Sequence, residues 1–505
     1  MLDSTYEKWL LRTSPPGPEF GGGRGSSWED AYHLSSALQL RKLAQDVNAG
    51  ISYAGTYFRL LCDIDLEGAD WSPIGYCIGP FDKMAFSGFF DGGGHRVHNF
   101  RVERSVEGSV GLFGYVEYAR IYNLAVADCT LTGIGSIGAL AGYAEESAFL
   151  NCNATATVTV KGMNAGGLVG LAGSTSVENC SAQVALRTFV GSERIGGLCG
   201  YSYNGGTFIS CRAAGEIQSA DGTDVGGFVG QVRDAKITGC SAGVFLRCAN
   251  SGNVGGFVGA LRGGTTEGCL ATGNIESTSG ATTARLGGFA GYLNGPLAYC
   301  VASGNVVNRG NNAAAGGCVG EAVRSRIFAC YSVGDVDNGG GTGGFLGRAS
   351  GGGMQILDCY ATGSVVLQGK MKTGGGFVGI LGGEGGFVEL SRCYAFGEVS
   401  PNVSGFTARK VFGGISACFW RADEGGVNDG VKDAAGIAPI STESFGMEEH
   451  FAENGWSFAE GSEAQAAWHY LDGMSPKRPH LRGLPAIPQT APFVPEEPVN
   501  PGESD

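Results

Sequence analysis

The residues of this 505-residue chain with the clearest capacity for chemistry lie near its start. They are Asp63, Asp65, Asp91, His95 and His98, carried in the runs CDIDL and DGGGHRVH. Two neighbouring carboxylates are what glycosidic cleavage requires, one protonated as the acid and one ionised as base or nucleophile. The plainer reading takes DIDL and DGGGH as turns leading into strands, with each Asp accepting from backbone N–H groups. We favour the plainer reading and expect no catalytic, cofactor-binding or metal-ligating residue. His33 and His469 stand beside aromatic residues and read as packed side chains.

Other motifs fail on their own chemistry. Gly133, Gly135 and Gly138 match GxGxxG, but no helix follows to point its N-terminus at a phosphate. Gly369-Lys370 is followed by Met371 where a phosphate loop needs Ser or Thr. No GxSxG elbow is present, and none of the six His sits in HExxH. Asp335-Val336-Asp337-Asn338-Gly339 opens like a calcium loop, but its twelfth position is Leu346 instead of Glu. There is no CxxC or Cys/His cluster of zinc spacing.

The sixteen cysteines carry a different signal. Ten recur at a steady interval, at Cys129, Cys152, Cys180, Cys211, Cys240, Cys269, Cys300, Cys330, Cys359 and Cys393. Thiols stacked in one inward column fit disulfide geometry poorly and pack as small hydrophobes. A structural ladder running through Cys180, Cys211, Cys240, Cys269, Cys300, Cys330 and Cys359 is therefore expected, with reduced, buried and inert thiols. Cys199, Cys248 and Cys318 stand off this register.

The elements that set that interval are Gly-bracketed phrases about ten residues upstream of each Cys. GLFG closes at Gly114, GALAG at Gly142, GGLVG at Gly170, GGLCG at Gly200, and six more follow up to Gly379. The closing glycines are spaced 28, 28, 30, 30, 29, 32, 29, 27 and 32 residues apart. Each repeat holds three short apolar runs parted by Gly, Asn, Asp and Ser, which read as strands and turns. Nothing between residues 110 and 410 is long enough and free enough of Gly to be a helix. One such repeat cannot bury a core, but stacked repeats can. The expected fold is all-β: a single-stranded parallel β-helix, or solenoid, of about ten or more coils. Within a phrase such as VGGFVG at 225–230, a Gly-permitted bend lets Val and Phe both point inward. Strict alternation would instead leave an outward Leu/Phe stripe.

The ends differ from the repeats, since all six Trp lie outside residues 110–410. Ser36 and Gln39 make a capping-box pattern ahead of Leu40, Leu43, Ala44 and Val47, which predicts a short N-terminal capping helix. Eight of the sixteen Pro fall from Pro476 to Pro501, as in an extended linker. The expected organisation is a tail at 1–27, an N-terminal cap and first coils at 28–109, and the repeat helix at 110–420. A C-terminal cap at 421–482 and a Pro-rich linker at 483–505 complete it.

Composition narrows the functional classes. The chain holds 91 Gly, but not at every third position, which excludes collagen. Its net charge of −14, with no basic stretch, argues against nucleic acid as a partner. No apolar run is long enough for a transmembrane segment. The N-terminus is acidic and holds Pro15, Pro16 and Pro18, so it does not read as a secretory signal; we expect the signal and anchor to lie outside this sequence.

The recurring GGLVG and GGFVG phrases resemble the GLUG-motif repeat family of bacterial surface proteins. The opening also resembles that family, in YHLSSALQLRKLAQDVNAG, YFRLLCDIDL, WSPIG and FSGFFDGGGHRVHNF, as does the close, in CFW and AWHYLDGMSPKRPHL. The likeness covers roughly residues 28–481. It extends to the non-catalytic segment ahead of the protease domain in immunoglobulin-A metalloproteases. The resemblance implies an extracellular or cell-surface bacterial location and an adhesin, stalk or ligand-binding role without cofactors. The partner would be a glycan or protein of a host or neighbouring cell. The family has no agreed catalytic residues to carry over. Two other classes stay open: a polysaccharide lyase or glycosidase, and an assembly or ice-surface-binding protein. Against the last, no regular Thr-x-Thr ladder is present.

Overall fold

The computed structural model describes residues 19–279, 283–310, 313–368, 373–382, 387–401, 403–410, 414–422, 436–458, 468–471 and 473–485. Most of the expected tail and linker, together with Gly369, Lys370 and Met371, lies outside the described residues.

One repeat shows how the coil is made. Glu193–Gly196, Cys199–Tyr203, Thr207–Ile209 and Arg212–Ser219 are strands. Each pairs in parallel with its counterpart in the next repeat: Ile195 faces Val225, Cys199 faces Val229, Phe208 faces Ile237 and Ile217 faces Leu246. This stacking continues for about 13 turns and gives an all-β parallel β-helix. At ~4.8 Å per coil the column is roughly 60 Å long.

Four strands form per coil where the sequence pattern indicates three, because the Gly phrase is itself a corner. In Val225–Gly230 the chain bends at Gly227, and Val225, Phe228 and Val229 are all fully buried. A Cβ on Gly227 would lie 2.1 Å from the carbonyl oxygen of Gly256, so only Gly fits between the coils. The bend sends the Phe side chains inward, where Phe228, Phe257 and Phe289 stack at 4.6 Å per step. Cys318 occupies the next position of that column, between Phe289 and Phe345, which accounts for its place off the main Cys register.

A second corner precedes the long strands. The residue just before each corner Cys is left-handed: Asn151 (φ 55°), Asn179 (φ 50°), Ser210 (φ 53°), Asp358 (φ 54°) and Arg392 (φ 51°) are examples. Asn and Asp tolerate this region best. The turn it makes is what returns the chain over the previous coil.

The N-terminal end of the core is closed by helix α1, Ala37–Asn48, whose Leu40, Leu43, Ala44 and Val47 join the core cluster. The Ser36 hydroxyl accepts from the Gln39 N–H, and the Gln39 side chain accepts from the Ser35 N–H, one residue earlier than a standard capping box. At the other end Trp420 turns inward from Cys418–Arg421 and lies against Gly405. Ile437–Ile440 then adds one more parallel strand.

The described part of the expected C-terminal cap does more than cover an end. Beyond Ile440 it packs along the side of the last coils. The residue after each corner Cys points outward, and in these coils it is aromatic: Tyr331, Tyr360 and Tyr394 stack at 4.6 and 4.9 Å. Phe445, Phe451, Trp456 and Trp468 cover that stack in a second apolar cluster outside the coil. An exposed aromatic ladder would be costly in water, so the strap and the ladder depend on each other.

Candidate functional site

The polar residues near the start are held by separate sets of partners. Asp63 accepts from the Arg96 N–H at 3.2 Å and its Nε at 2.9 Å, and lies 3.4 Å from His95 Nδ1. Asp65 accepts from the Glu67 N–H at 2.7 Å and Asn99 Nδ2 at 2.9 Å, with His98 opposite it on the next strand. Asp91 belongs to a different sheet and accepts from Arg59 Nε at 3.2 Å, the Gly93 N–H at 2.9 Å and Asn123 Nδ2 at 3.0 Å. The Arg96 backbone N–H holds the Asp63 carboxyl below its usual range, and the Glu67 N–H does the same for Asp65. Both are anions, whereas acid–base cleavage of a glycosidic bond needs one carboxyl kept protonated. Their geometry is that of side chains closing turns and tying the first coils together. Asn123 passes the role on, since its Oδ1 accepts from Asn151 Nδ2 at 3.0 Å.

The cysteines at the second corner form a buried column. The Cys211 N–H donates to Cys240 Sγ at 3.3 Å, the Cys240 N–H to Cys269 Sγ at 3.4 Å, and the Cys300 N–H to Cys330 Sγ at 3.4 Å. Each thiol in turn donates to the carbonyl two residues before it, as Cys330 does to Phe328 at 3.2 Å. A Cys here satisfies two backbone groups at a tight corner that Ala or Val would leave unpaired. Cys152, Cys180 and Cys359 belong to the same column, which runs on to Cys393 and Cys418. Cys129 does not belong to it. The first corner places Leu124 over Cys152, and Cys129 lies five residues on, between Phe100 and Ala156. All sixteen cysteines are free thiols, and Cys199 and Cys248 occupy separate positions. Burial pushes the thiols of Cys129 and Cys248 up to about 12 and those of Cys300, Cys359 and Cys418 well above the normal range. At these five positions burial disfavours the thiolate that nucleophilic chemistry needs.

Single-residue reading misses three polar constellations. Asp358 and Arg392, at the same corner position of successive coils, form a bidentate pair with N–O distances of 2.7 and 2.8 Å, and Trp468 Nε1 adds a third bond at 3.3 Å. Tyr143 and Tyr203 both donate to Glu145, and meet it over Gly173, whose missing side chain leaves the room. A groove of about 680 Å³ runs along the corner that follows the long strands, with Arg187, Phe189, Arg247 and Arg309 on its walls. Aligning the repeats would have shown the first: LDCY and SRCY put opposite charges at one position of neighbouring coils. The calcium-like run is tied to other coils, with Asp335 accepting from the Ser364 N–H at 2.8 Å and Asp337 from Gln368. Among the described residues no three His, Cys, Asp or Glu side chains converge as a cation site.

Fold and corner chemistry together define a solenoid of Gly-bracketed coils, a repeat protein of parallel β-helix class. The chain carries the GLUG motif, matched over residues 161–186. Over 153 residues it is 31% identical to halomucin of Haloquadratum walsbyi, covering 28% of this chain and 2% of that protein. Over 133 residues it is 30% identical to a candidate Gly-rich membrane protein of Evansella cellulosilytica, covering 24% of this chain and 14% of that one. The chain thus spans a small fraction of the length of both relatives. Among solved structures, a protein described as a candidate immunoglobulin A1 protease from Bacteroides ovatus aligns over 57% of this chain and 80% of its own, with 21% identity and a TM-score of 0.40. No helix among the described residues is long and apolar enough to cross a membrane.

Proposed function

We propose that this chain is a non-catalytic, extracellular module of a bacterial cell-surface protein, a stiff column that presents ligand-binding surface away from the cell. The observation that carries this reading is the continuous stack. Coil hydrogen-bonds to coil along the whole stack, through four walls in its middle and fewer at its ends, so equivalent side chains recur at a fixed step along a rigid axis. Such a surface suits repeated weak contacts with a glycan or protein of a host or neighbouring cell. The names of the two relatives, halomucin and a candidate Gly-rich membrane protein, favour a surface setting. The hydrogen bonds that Asp63 and Asp65 accept, which favour their ionised forms, support a structural role for the opening cluster over acid–base chemistry.

Two measurements test this. Antibodies raised against the purified column should label intact cells that express the protein. Incubation with a panel of polysaccharides should release no new reducing ends and no unsaturated products. Labelling only after lysis would overturn the location. Product formation that disappears in Asp63→Ala or Asp91→Ala would replace the scaffold with an enzyme.

A further inference from the structure

We propose that the groove along the corner after the long strands binds an extended anionic glycan, a chain bearing carboxylates at regular intervals. This deepens the scaffold reading and rests on it for the extracellular setting.

Two rows of side chains, each one residue position repeated coil after coil, build the groove. In the first, Arg187 is followed by Gln218, Arg247 and Glu276 on successive strands. In the second, Phe189 is followed by Ala220, Ala249, Thr278 and Arg309, the continuation of the same ladders. The small side chains of Ala220 and Ala249 leave a trough between Phe189 at one end and Arg309 at the other. Its volume, about 680 Å³, lies in the range of small-molecule and oligosaccharide sites.

The charge of the trough is opposite to that of the chain. Three arginines and a single carboxylate, Glu276, line it, on a protein whose net charge is −14. Arg247 is 55% exposed, bridged loosely to Glu216 and Glu276 at 3.4 and 3.9 Å, and Arg309 is 63% exposed, 3.5 Å from Asp337. The Arg187 side chain has no hydrogen bond or ion pair among the described residues, which leaves its guanidinium open to a carboxylate. Phe189 is 48% exposed and its backbone is fixed: its N–H donates to Val160 at 3.0 Å and its carbonyl accepts from Ser192 Oγ at 2.8 Å. An exposed aromatic on a fixed backbone, next to cations, is suited to stack against a sugar ring.

Spacing favours a glycan over an acidic peptide. Arg187 and Arg247 are two strand steps apart, roughly 9.6 Å at the usual interstrand distance. That is comparable with one disaccharide of an extended chain, whereas same-face side chains of an extended peptide recur at only ~6.7 Å.

The test is direct binding of the full chain to oligogalacturonate, measured by calorimetry at low and moderate salt. A neutral cello-oligosaccharide and poly-glutamate serve as comparison probes. Oligogalacturonate should bind, more weakly as salt rises, and neither comparison probe should match it. The double variant Arg187→Ala/Phe189→Ala, both exposed positions, should keep the parent melting temperature and lose about tenfold or more in affinity. Arg233→Ala, on another wall, should bind as the parent does. Equal affinity in the double variant, no uronate binding, or preference for poly-glutamate overturns the proposal. None of those results touches cell-surface labelling or the absence of turnover, so the scaffold reading stands or falls separately.

Discussion

Arg392 grips both carboxylate oxygens of Asp358 across one coil step, at 2.7 and 2.8 Å, and Asp358 is completely buried. The same carboxylate accepts from Trp468, so a corner of the column and the C-terminal strap share one charge. The bond to Asp358 also raises Arg392 above its ordinary pKa.

Removing one partner of such a pair strands a buried charge. Asp358→Asn should therefore cost about 3 kcal/mol in chemical unfolding, more than the double variant Asp358→Asn/Arg392→Met. Proteolysis should show the strap released first. A single variant as stable as the parent would mean that water reaches the pair.

The stacked glycines in the middle of the long-strand wall set a steric limit. A Cβ at Gly304 would fall 2.0 Å from the Gly273 carbonyl oxygen, while one at Gly79 meets nothing within 4 Å. Gly304→Ala should destabilise by about 3 kcal/mol, because two coils must part. Gly79→Ala should change stability by no more than about 0.5 kcal/mol. Thermal melts of the pair decide it.

The thiol column predicts a labelling count. Cys62 and Cys77 are half-buried and the other fourteen cysteines are buried. A small alkylating reagent at pH 8 should modify at most those two in the native protein and all sixteen after denaturation, read by mass spectrometry. Rapid native labelling of Cys240 or Cys300 would contradict the packing.

The aromatic ladder under the strap has a graded test. The Tyr394 hydroxyl donates to the Pro479 carbonyl at 2.6 Å. Tyr394→Phe should cost about 1 kcal/mol. Tyr360→Ala, which removes the centre of the stack, should cost about 4 kcal/mol.

The strap should also loosen in acid. Burial, with Arg478 nearby, lowers His480 to about 4, while its Nδ1 lies 3.2 Å from the Tyr360 hydroxyl. The fold thus holds a neutral imidazole, and protonation favours release. The contribution is whole above about 6.5 and is lost as pH falls through 4, amounting to no more than about 2 kcal/mol. Tryptophan fluorescence of the strap should shift over that window in the parent and less in His480→Gln.

The period of the column was legible because stacking demands it. Equivalent positions must carry interchangeable side chains, so Gly phrases and Cys recur near every 29 residues. Helix α1 was legible through its apolar spacing and the Ser36–Gln39 pattern. Cys129 misled because a residue type alone does not fix register. The corner is set by the left-handed Asn123, which puts Leu124 in the column.

The sequence alone determined that this chain coils and that the thiols from Cys152 to Cys393 recurring near every 29 residues lie over one another, since these follow from periodicity and hydrophobic burial. Only the tertiary structure decided that the Gly phrase is a corner, that the C-terminal segment straps an outer aromatic ladder, and that Arg187 and Phe189 face one trough. The physical reason is that such contacts depend on which way each corner turns and on residues more than one coil apart, and no local pattern encodes those directions.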